Sequence, residues 1–274
     1  MKYINIDKYN SSIFIDQNYN SFSMIGDDAI SFLDRMSTNN IFKINSSRTA
    51  ITDNKGSVID ILTYKVINEK KIIFVSDIKT DMSIEYMKKY IIIDDVEIKH
   101  NGNLSKIVIY SKKSENSIDL ENFSLISTYE YKEFMRYELF SSDDELKKFN
   151  KTDYKHISID EKNTLDIQMR YIGIKESMIK ANPLELGLLD IISFDKGCYV
   201  GQEVIARLHN YKKVSRELVP FSTKSELEIN SKIIIDSKNI GNVLSIHKKA
   251  DGFLGLSLIK KRFSYLLTEE IIKI

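Results

Sequence analysis

The sequence predicts an α+β protein of more than one domain that ends in a small β-barrel. Three observations predict it. The chain has 274 residues, more than one average domain holds. Its first third alternates at strand period around a helix-spaced segment. Its tail reads as short, closely spaced strands, the pattern of a small barrel.

In chain order, Ser12-Ile13-Phe14-Ile15 and Ser21-Phe22-Ser23-Met24-Ile25 read as strands. Gly26-Asp27 opens a helix. There Ala29, Ile30, Leu33 and Met36 recur at helical spacing, with Asp27 and Asp28 at the positive end of the dipole. Residues 48–52 are strand-like and enter the turn Asp53-Asn54-Lys55-Gly56, where glycine can take positive φ. A long strand over 58–66 and a shorter one over 72–75 follow, and 77–90 reads as a helix with Ile78, Met82, Tyr86 and Met87 on one side. A second set of elements starts near Val96, with its clearest strand over 106–110; residues 115–149 are too polar to order. Residues 187–193 read as extended or irregular, and 202–211 as a helix carrying Val204, Ile205 and Leu208. Short strands are expected at 218–219, 232–235, 240–246, 253–258 and 270–272.

Composition bounds function. Hydrophobic residues make up 42% and charged residues 29%, which is ordinary for a globular chain that buries a core without staples. A single cysteine excludes an internal disulfide. There is no apolar run of about 18 residues to cross a membrane, and the N-terminus lacks a signal-peptide core. A bacterial cytoplasmic setting with no membrane contact is therefore expected. Forty basic and 39 acidic side chains leave a net charge of +1. That balance argues against direct nucleic-acid binding, which draws on a basic excess.

The common catalytic patterns are absent from the sequence: no glycine-rich phosphate loop and no Gly-x-Ser-x-Gly elbow. His100, His156, His209 and His247 are scattered, without the spacing of paired metal ligands. Attention falls on Cys198, in Lys196-Gly197-Cys198-Tyr199-Val200-Gly201-Gln202-Glu203. Gly197 and Gly201 would allow a tight loop with unusual dihedral angles. Lys196 and the start of the helix over 202–211 would favour thiolate over thiol. A lone cysteine is more often an inert small hydrophobe, but a core cysteine normally sits in apolar company, and this one has charged neighbours.

The octapeptide around Cys198 is similar to the Lys-Gly-Cys-Tyr-x-Gly-Gln-Glu signature of the YgfZ family, which resembles the aminomethyltransferase (T-protein, GcvT-like) of the glycine cleavage system and includes mitochondrial iron–sulfur assembly factors. Other segments resemble the family pattern in order. They are Gly26 to Leu33, Thr38-Asn39-Asn40, the Asp53 to Asp60 turn and strand, Arg170 with Gly173-Ile174 and Glu176, and Gly241 to Ser245 with Gly255 to Leu258. Two departures stand out. Lys175 replaces the usual proline. Asp60 is followed by Ile61, where transferases carry two adjacent aspartates.

The resemblance implies a GcvT/YgfZ-like three-domain ring with folate in a central channel and a C-terminal small β-barrel. The implied divisions are an α+β domain over 1–95, which 160–211 would complete, a second α+β domain over 96–159, the cysteine-motif segment 160–211, and the barrel over 212–274. It implies a folate-binding accessory protein for iron–sulfur cluster assembly or maintenance, supporting radical enzymes that modify tRNA. The alternative is a folate-dependent aminomethyl or one-carbon transferase, in which Cys198 and Asp60 would be catalytic. The implied cofactors are tetrahydrofolate or a derivative and an iron–sulfur cluster shared with a carrier or client enzyme. One thiolate cannot hold a cluster alone. Asp60 would bond the pterin edge; on its own it reads as a solvent-facing strand residue. Arg170, Lys196 or Arg207 would pair with the glutamyl tail, each reading equally as a surface charge. Tyr199 would pack on the ring or anchor the loop. Gln202 and Glu203 would hold loop backbone or cap the helix.

Overall fold

A computed structural model describes residues 6–78, 81–115, 123–149, 153–173, 180–249, 251–266 and 272–273. Two sheets organise them.

The larger sheet has eight strands: β1 (Ser12–Ile25), β2 (Ser46–Thr52), β3 (Val58–Asn68), β4 (Lys71–Ser76), β5 (Glu97–Lys112), β6 (Leu125–Tyr131), β7 (Phe134–Ser141) and β8 (Lys155–His156). Their order is β2-β3-β4-β1-β5-β7-β6, with β8 parallel to β1. The outer strands β2 and β6 approach each other, and Ser46 Oγ donates to Ile126 O at 3.0 Å. The sheet is therefore nearly closed and barrel-like. It is mostly antiparallel because short turns such as Asn68 to Lys71 connect neighbours directly.

β1 is one 14-residue strand where the alternation suggested two. Its pairing with β5 shifts register between Asp16 and Tyr19, and Asn18 takes φ 67°. A bulge leaves a polar interruption without ending the strand.

Helices pack on this sheet. In α1 (Ala29–Met36), Ala29, Phe32, Leu33 and Met36 are buried against Phe22, Met24, Leu62 and Phe74. α2 (Met82–Lys88) is shorter than the expected 77–90 helix. α3 (Asp143–Lys148) and α4 (Ile159–Gln168) both start at reciprocal capping boxes, Ser142 with Glu145 and Ser158 with Glu161. Such pairs satisfy first-turn N–H groups that the helix leaves open.

The expected tail strands appear as β9 (Arg216–Thr223), β10 (Lys232–Ile235), β11 (Lys238–Lys249), β12 (Gly252–Lys260) and β13 (Ile272–Lys273). Their order is β10-β11-β12-β9-β13, around Val219, Phe221, Ile233, Ile240, Val243 and Ile259. The other face, with Leu254, Leu256 and Leu258, joins the apolar cluster of Ala50, Val58 and Ile61. In chain order α5 (Gln202–Asn210) stands between the strands of the two sheets, preceded by the cysteine motif. No helix among the described residues is long and apolar enough to cross a membrane.

Candidate functional site: a clamped cysteine loop and a buried charge network

Cys198 is exposed, on an irregular segment between Leu189–Ile191 and α5. That segment is pinned to α1 and β2 along its length. Thr38 Oγ1 donates to Ile191 O at 2.7 Å, and Ser193 N donates to Thr38 O at 2.9 Å. Val200 N donates to Arg35 O at 3.1 Å, and Thr52 Oγ1 donates to Val200 O at 2.6 Å.

Lys196 is the central pin. Its ammonium donates to the carbonyls of Asp34, Ser37 and Asn39 at 2.5, 2.9 and 2.6 Å and lies 3.0 Å from Asp34 Oδ1. The three carbonyls belong to the last turn of α1 and the residues just after it, where a helix end leaves acceptors without partners. The side chain is 1% exposed. Burial lowers its proton affinity, with Asp34 opposing. Its donors are taken by the protein, so it anchors the loop and does not face a ligand.

The two motif glycines differ. Gly201 has φ 85°, and a Cβ there would stand 2.5 Å from Asp53 O and 2.8 Å from Thr52 Oγ1. Only glycine fits this contact. It locks the motif onto the Asp53–Gly56 turn, where Gly56 in turn lies under Val204 and Ile205. Gly197 is not among the positive-φ residues, and a Cβ there would meet open space. The expectation of an unusual backbone at both glycines therefore holds at Gly201 alone. No side chain caps α5, whose N-cap is Gly201. Gln202 is half-buried and Glu203 exposed.

Tyr199 is buried with Ile192 and Ile205, and the Lys196 ammonium lies 5.3 Å from its ring centroid. Burial pushes its phenol up to about 12. Beside it opens a cavity of about 340 Å³ lined by Phe32, Arg35, Met36, Tyr90, Cys198, Tyr199 and Val200. Arg35 at this wall pairs with Asp94 at 2.5 Å. The walls are largely aromatic or aliphatic, with one cation and one thiol.

The structure does not bring the other sequence-derived residues to this cavity. Arg170 and Arg207 are exposed, Arg170 with φ 55° just before 171–173 and Arg207 in the last turn of α5. Ile174, Lys175 and Glu176 lie outside the described residues. Asp60 is not solvent-facing. It is 1% exposed, in β3, and accepts from Ser76 Oγ at 2.5 Å, Ser83 Oγ at 2.6 Å and Ile61 N at 2.7 Å. Burial pushes its carboxyl up to about 7 against those hydroxyl contacts, and Asp77 adds to the rise.

A buried network joins β2, β5, β7 and α4, and the sequence did not announce it. Arg136 donates from Nε to Asp166 Oδ1 at 2.7 Å and from its terminal nitrogen to Glu138 Oε2 at 2.6 Å. Lys106 lies 2.5 Å from Glu138 Oε1, and Arg48 donates to Asp77 Oδ2 at 3.2 Å and Ile172 O at 2.7 Å. Both guanidinium groups face the Tyr171 ring, at 4.7 Å for Arg48 and 3.5 Å for Arg136. Tyr171 donates to Glu138 and Tyr110 to Asp166. Burial alone would raise Asp166, but Arg136 and Lys162 bring it down to about 2. One signal was available: Arg136 and Glu138 stand two apart in an apolar strand, on one face of it. Among the described residues, no three His, Cys, Asp or Glu side chains gather as metal ligands.

No protein-family model matches the chain. It is 41% identical over 83 residues to a protein of Arabidopsis thaliana named putative transferase At1g60990, chloroplastic. That match covers 30% of this chain and only 19% of the relative's length. Among solved structures, it is similar to the glycine cleavage system aminomethyltransferase T from Bartonella henselae, with a TM-score of 0.68 at 11% identity, over 93% of this chain and 80% of that one. The nearly closed sheet, the packed helices and the second sheet therefore make up an aminomethyltransferase-like fold.

Proposed function

We propose that this protein is a folate-binding accessory factor for iron–sulfur cluster assembly or maintenance, of the YgfZ type, with Cys198 as the residue it presents to a partner. The observation that carries this reading is the exposed thiol at the rim of an aromatic-walled cavity, on a loop immobilised by Lys196 and Gly201. A volume of about 340 Å³ is within the range of small-molecule sites, which are mostly apolar with few polar groups. Phe32, Tyr90 and Tyr199 suit a flat pterin, and Arg35 at the wall suits an anionic tail. In this reading the protein adopts a three-domain ring, tetrahydrofolate or a derivative is its ligand, and an iron–sulfur carrier or a radical tRNA-modifying enzyme is its partner.

Cys198 would supply one ligand to a cluster held jointly with that partner. Anaerobic mixing with a cluster-loaded carrier tests it. Wild type is expected to give a shared-cluster absorption spectrum that Cys198→Ser does not give, while both bind tetrahydrofolate in a titration. Equal spectra from the two proteins would remove the cysteine from the proposal.

A second reading is a one-carbon transferase, favoured by the aminomethyltransferase-like fold and the relative named a putative transferase. The burial of Asp60 speaks against it, because a catalytic carboxylate must reach its substrate. Turnover with tetrahydrofolate and a methylene donor, abolished by Asp60→Asn, would establish this second reading instead.

A further inference from the structure

The connection from α2 to β5 carries an apolar tip that the proposed function does not use. Ile92 is 83% exposed and Ile93 93%, the two most exposed large apolar side chains among the described residues. Keeping adjacent isoleucines in water is unfavourable. The core does not need them: of the three consecutive isoleucines, Ile91 is the one that packs against the cluster of Phe32 and Leu33. The tip is also held in place. Tyr90 N donates to Met87 O at 2.9 Å, and Arg35 pairs with Asp94 at 2.5 Å. Asp27 N donates to Asp95 Oδ2 at 3.0 Å, and Asp95 N donates to Asp28 Oδ2 at 2.9 Å. A fixed apolar tip loses little freedom when a partner covers it.

The flanking charges say what that partner is. Lys88 and Lys89, both exposed, precede the tip, and Asp94 and the exposed Asp95 follow it. Lys88 forms an exposed pair with Glu85 at 3.0 Å, of a kind that costs little to give up. A segment that is basic before an apolar centre and acidic after it is its own complement when turned end for end. A two-fold contact makes that turn, because each copy offers the other the same surface reversed. A lipid surface suits the tip less, since Asp27, Asp28 and Asp95 gather behind it and anionic headgroups repel them.

We infer that residues 88–95 dock against the same residues of a second copy of this chain, in a two-fold dimer. The isoleucines Ile92 and Ile93 of the two copies meet at the axis, and Lys89 of each copy faces Asp95 of the other. The patch is small, and interfaces below about 1,200 Å² are weak and transient, so the dimer forms and dissociates with protein concentration. The same connection supplies Tyr90 to the cavity beside Cys198, and Arg35, which holds Asp94, lines that cavity too. The contact therefore borders the cavity in each copy.

The test is sedimentation velocity of the full chain over a concentration series, at low salt so that charge pairs are little screened. Wild type is expected to pass from monomer to dimer as concentration rises. Ile93→Ser alters an exposed side chain and should leave the fold intact, yet weaken the dimer about tenfold or more. Lys89→Glu and Asp95→Lys should each abolish it, because like charges then meet. An equimolar mixture of those two variants should recover it, since one copy then carries carboxylates at both positions and the other ammonium groups. Asp95→Lys also takes an acceptor from Asp27 N. Where that variant does not fold, Lys89→Gln serves, and its dimer should respond less to added salt than the wild-type dimer. A wild type that stays monomeric at every concentration would overturn the second copy as the occupant, and its flotation with phospholipid vesicles would assign the tip to lipid instead. A dimer unmoved by Ile93→Ser would overturn this surface. No recovery in the mixture, or equal salt dependence in Lys89→Gln, would overturn the charge pairing.

Discussion

Asp60 and Asp166 are both buried carboxyl groups, and their surroundings drive them in opposite directions. Asp166 meets Arg136, Lys162 and the Tyr110 hydroxyl, and its carboxyl falls to about 2. Asp60 meets two serine hydroxyls and two backbone N–H groups and, among the described residues, no cation, and its carboxyl rises to about 7. Hydrogen bonds alone do not replace water around an anion at this depth. A full opposite charge does. The two sites therefore lose stability at opposite ends of the pH scale.

The largest break in this contrast is expected from Arg136→Met. It removes the cation from Asp166 and Glu138 together. Loss of one partner from a buried pair costs about 3–5 kcal/mol, measured by urea denaturation at pH 7. A cost near zero would mean that Lys106 and Lys162 suffice for the two carboxylates.

The next effect is a pH window. Asp60 has its folded value raised above that of the unfolded chain, so its contribution is intact at acid pH and is lost as pH rises from about 4 to about 7. Wild type should lose roughly 3 kcal/mol across that window relative to Asp60→Asn. Asp166 is the mirror case. Its folded value is depressed, so its contribution is present above about 4 and is lost as pH falls toward 2. Equal pH profiles for wild type and Asp60→Asn would end the contrast.

Arg136→Lys should fall between neutral and severe, about 2 kcal/mol, because one ammonium cannot reproduce the two-sided fork between Asp166 and Glu138. Rescue to wild-type stability would show that charge alone matters there. Ser83→Ala is the smallest change, about 1 kcal/mol for one hydrogen bond, read as a shift in the thermal midpoint at pH 6.

Some of the architecture was legible residue by residue. The period-two alternation of 58–66 and 72–75 became β3 and β4, and the spacing of Ala29, Leu33 and Met36 became α1. The turn at Asp53-Asn54-Lys55-Gly56 was legible from its glycine, which takes φ 70°. The helix expected over 77–90 failed at its start for a tertiary reason. Asp77 is drawn into the pair with Arg48, and Ser76 and Ile78 turn around Asp60, so regular helix begins at Met82. Residues 115–149 gave no readable pattern. Among the described ones, β6 pairs with β7, in which Arg136 and Glu138 face inward and so break the hydrophobic alternation.

At the site the same division holds. The octapeptide marked Cys198 by its composition, but not the fate of its neighbours. Lys196, expected as a cation beside the thiol that would pair with a glutamyl tail, donates to three carbonyls at the end of α1. Asp60, which reads by itself as an exposed strand residue, lies under Ser76 and Ser83.

The sequence by itself determined the local things: strand and helix periods, the Asp53–Gly56 turn and the one thiol. These depend on neighbours within a few residues, where spacing and side-chain shape suffice. Tertiary structure alone decided which charges are buried, which carboxyl is pushed up and which down, and which cation lines the cavity. Each of those depends on groups from distant segments, such as Asp34 and Lys196 or Arg136 and Asp166, whose meeting no periodicity encodes.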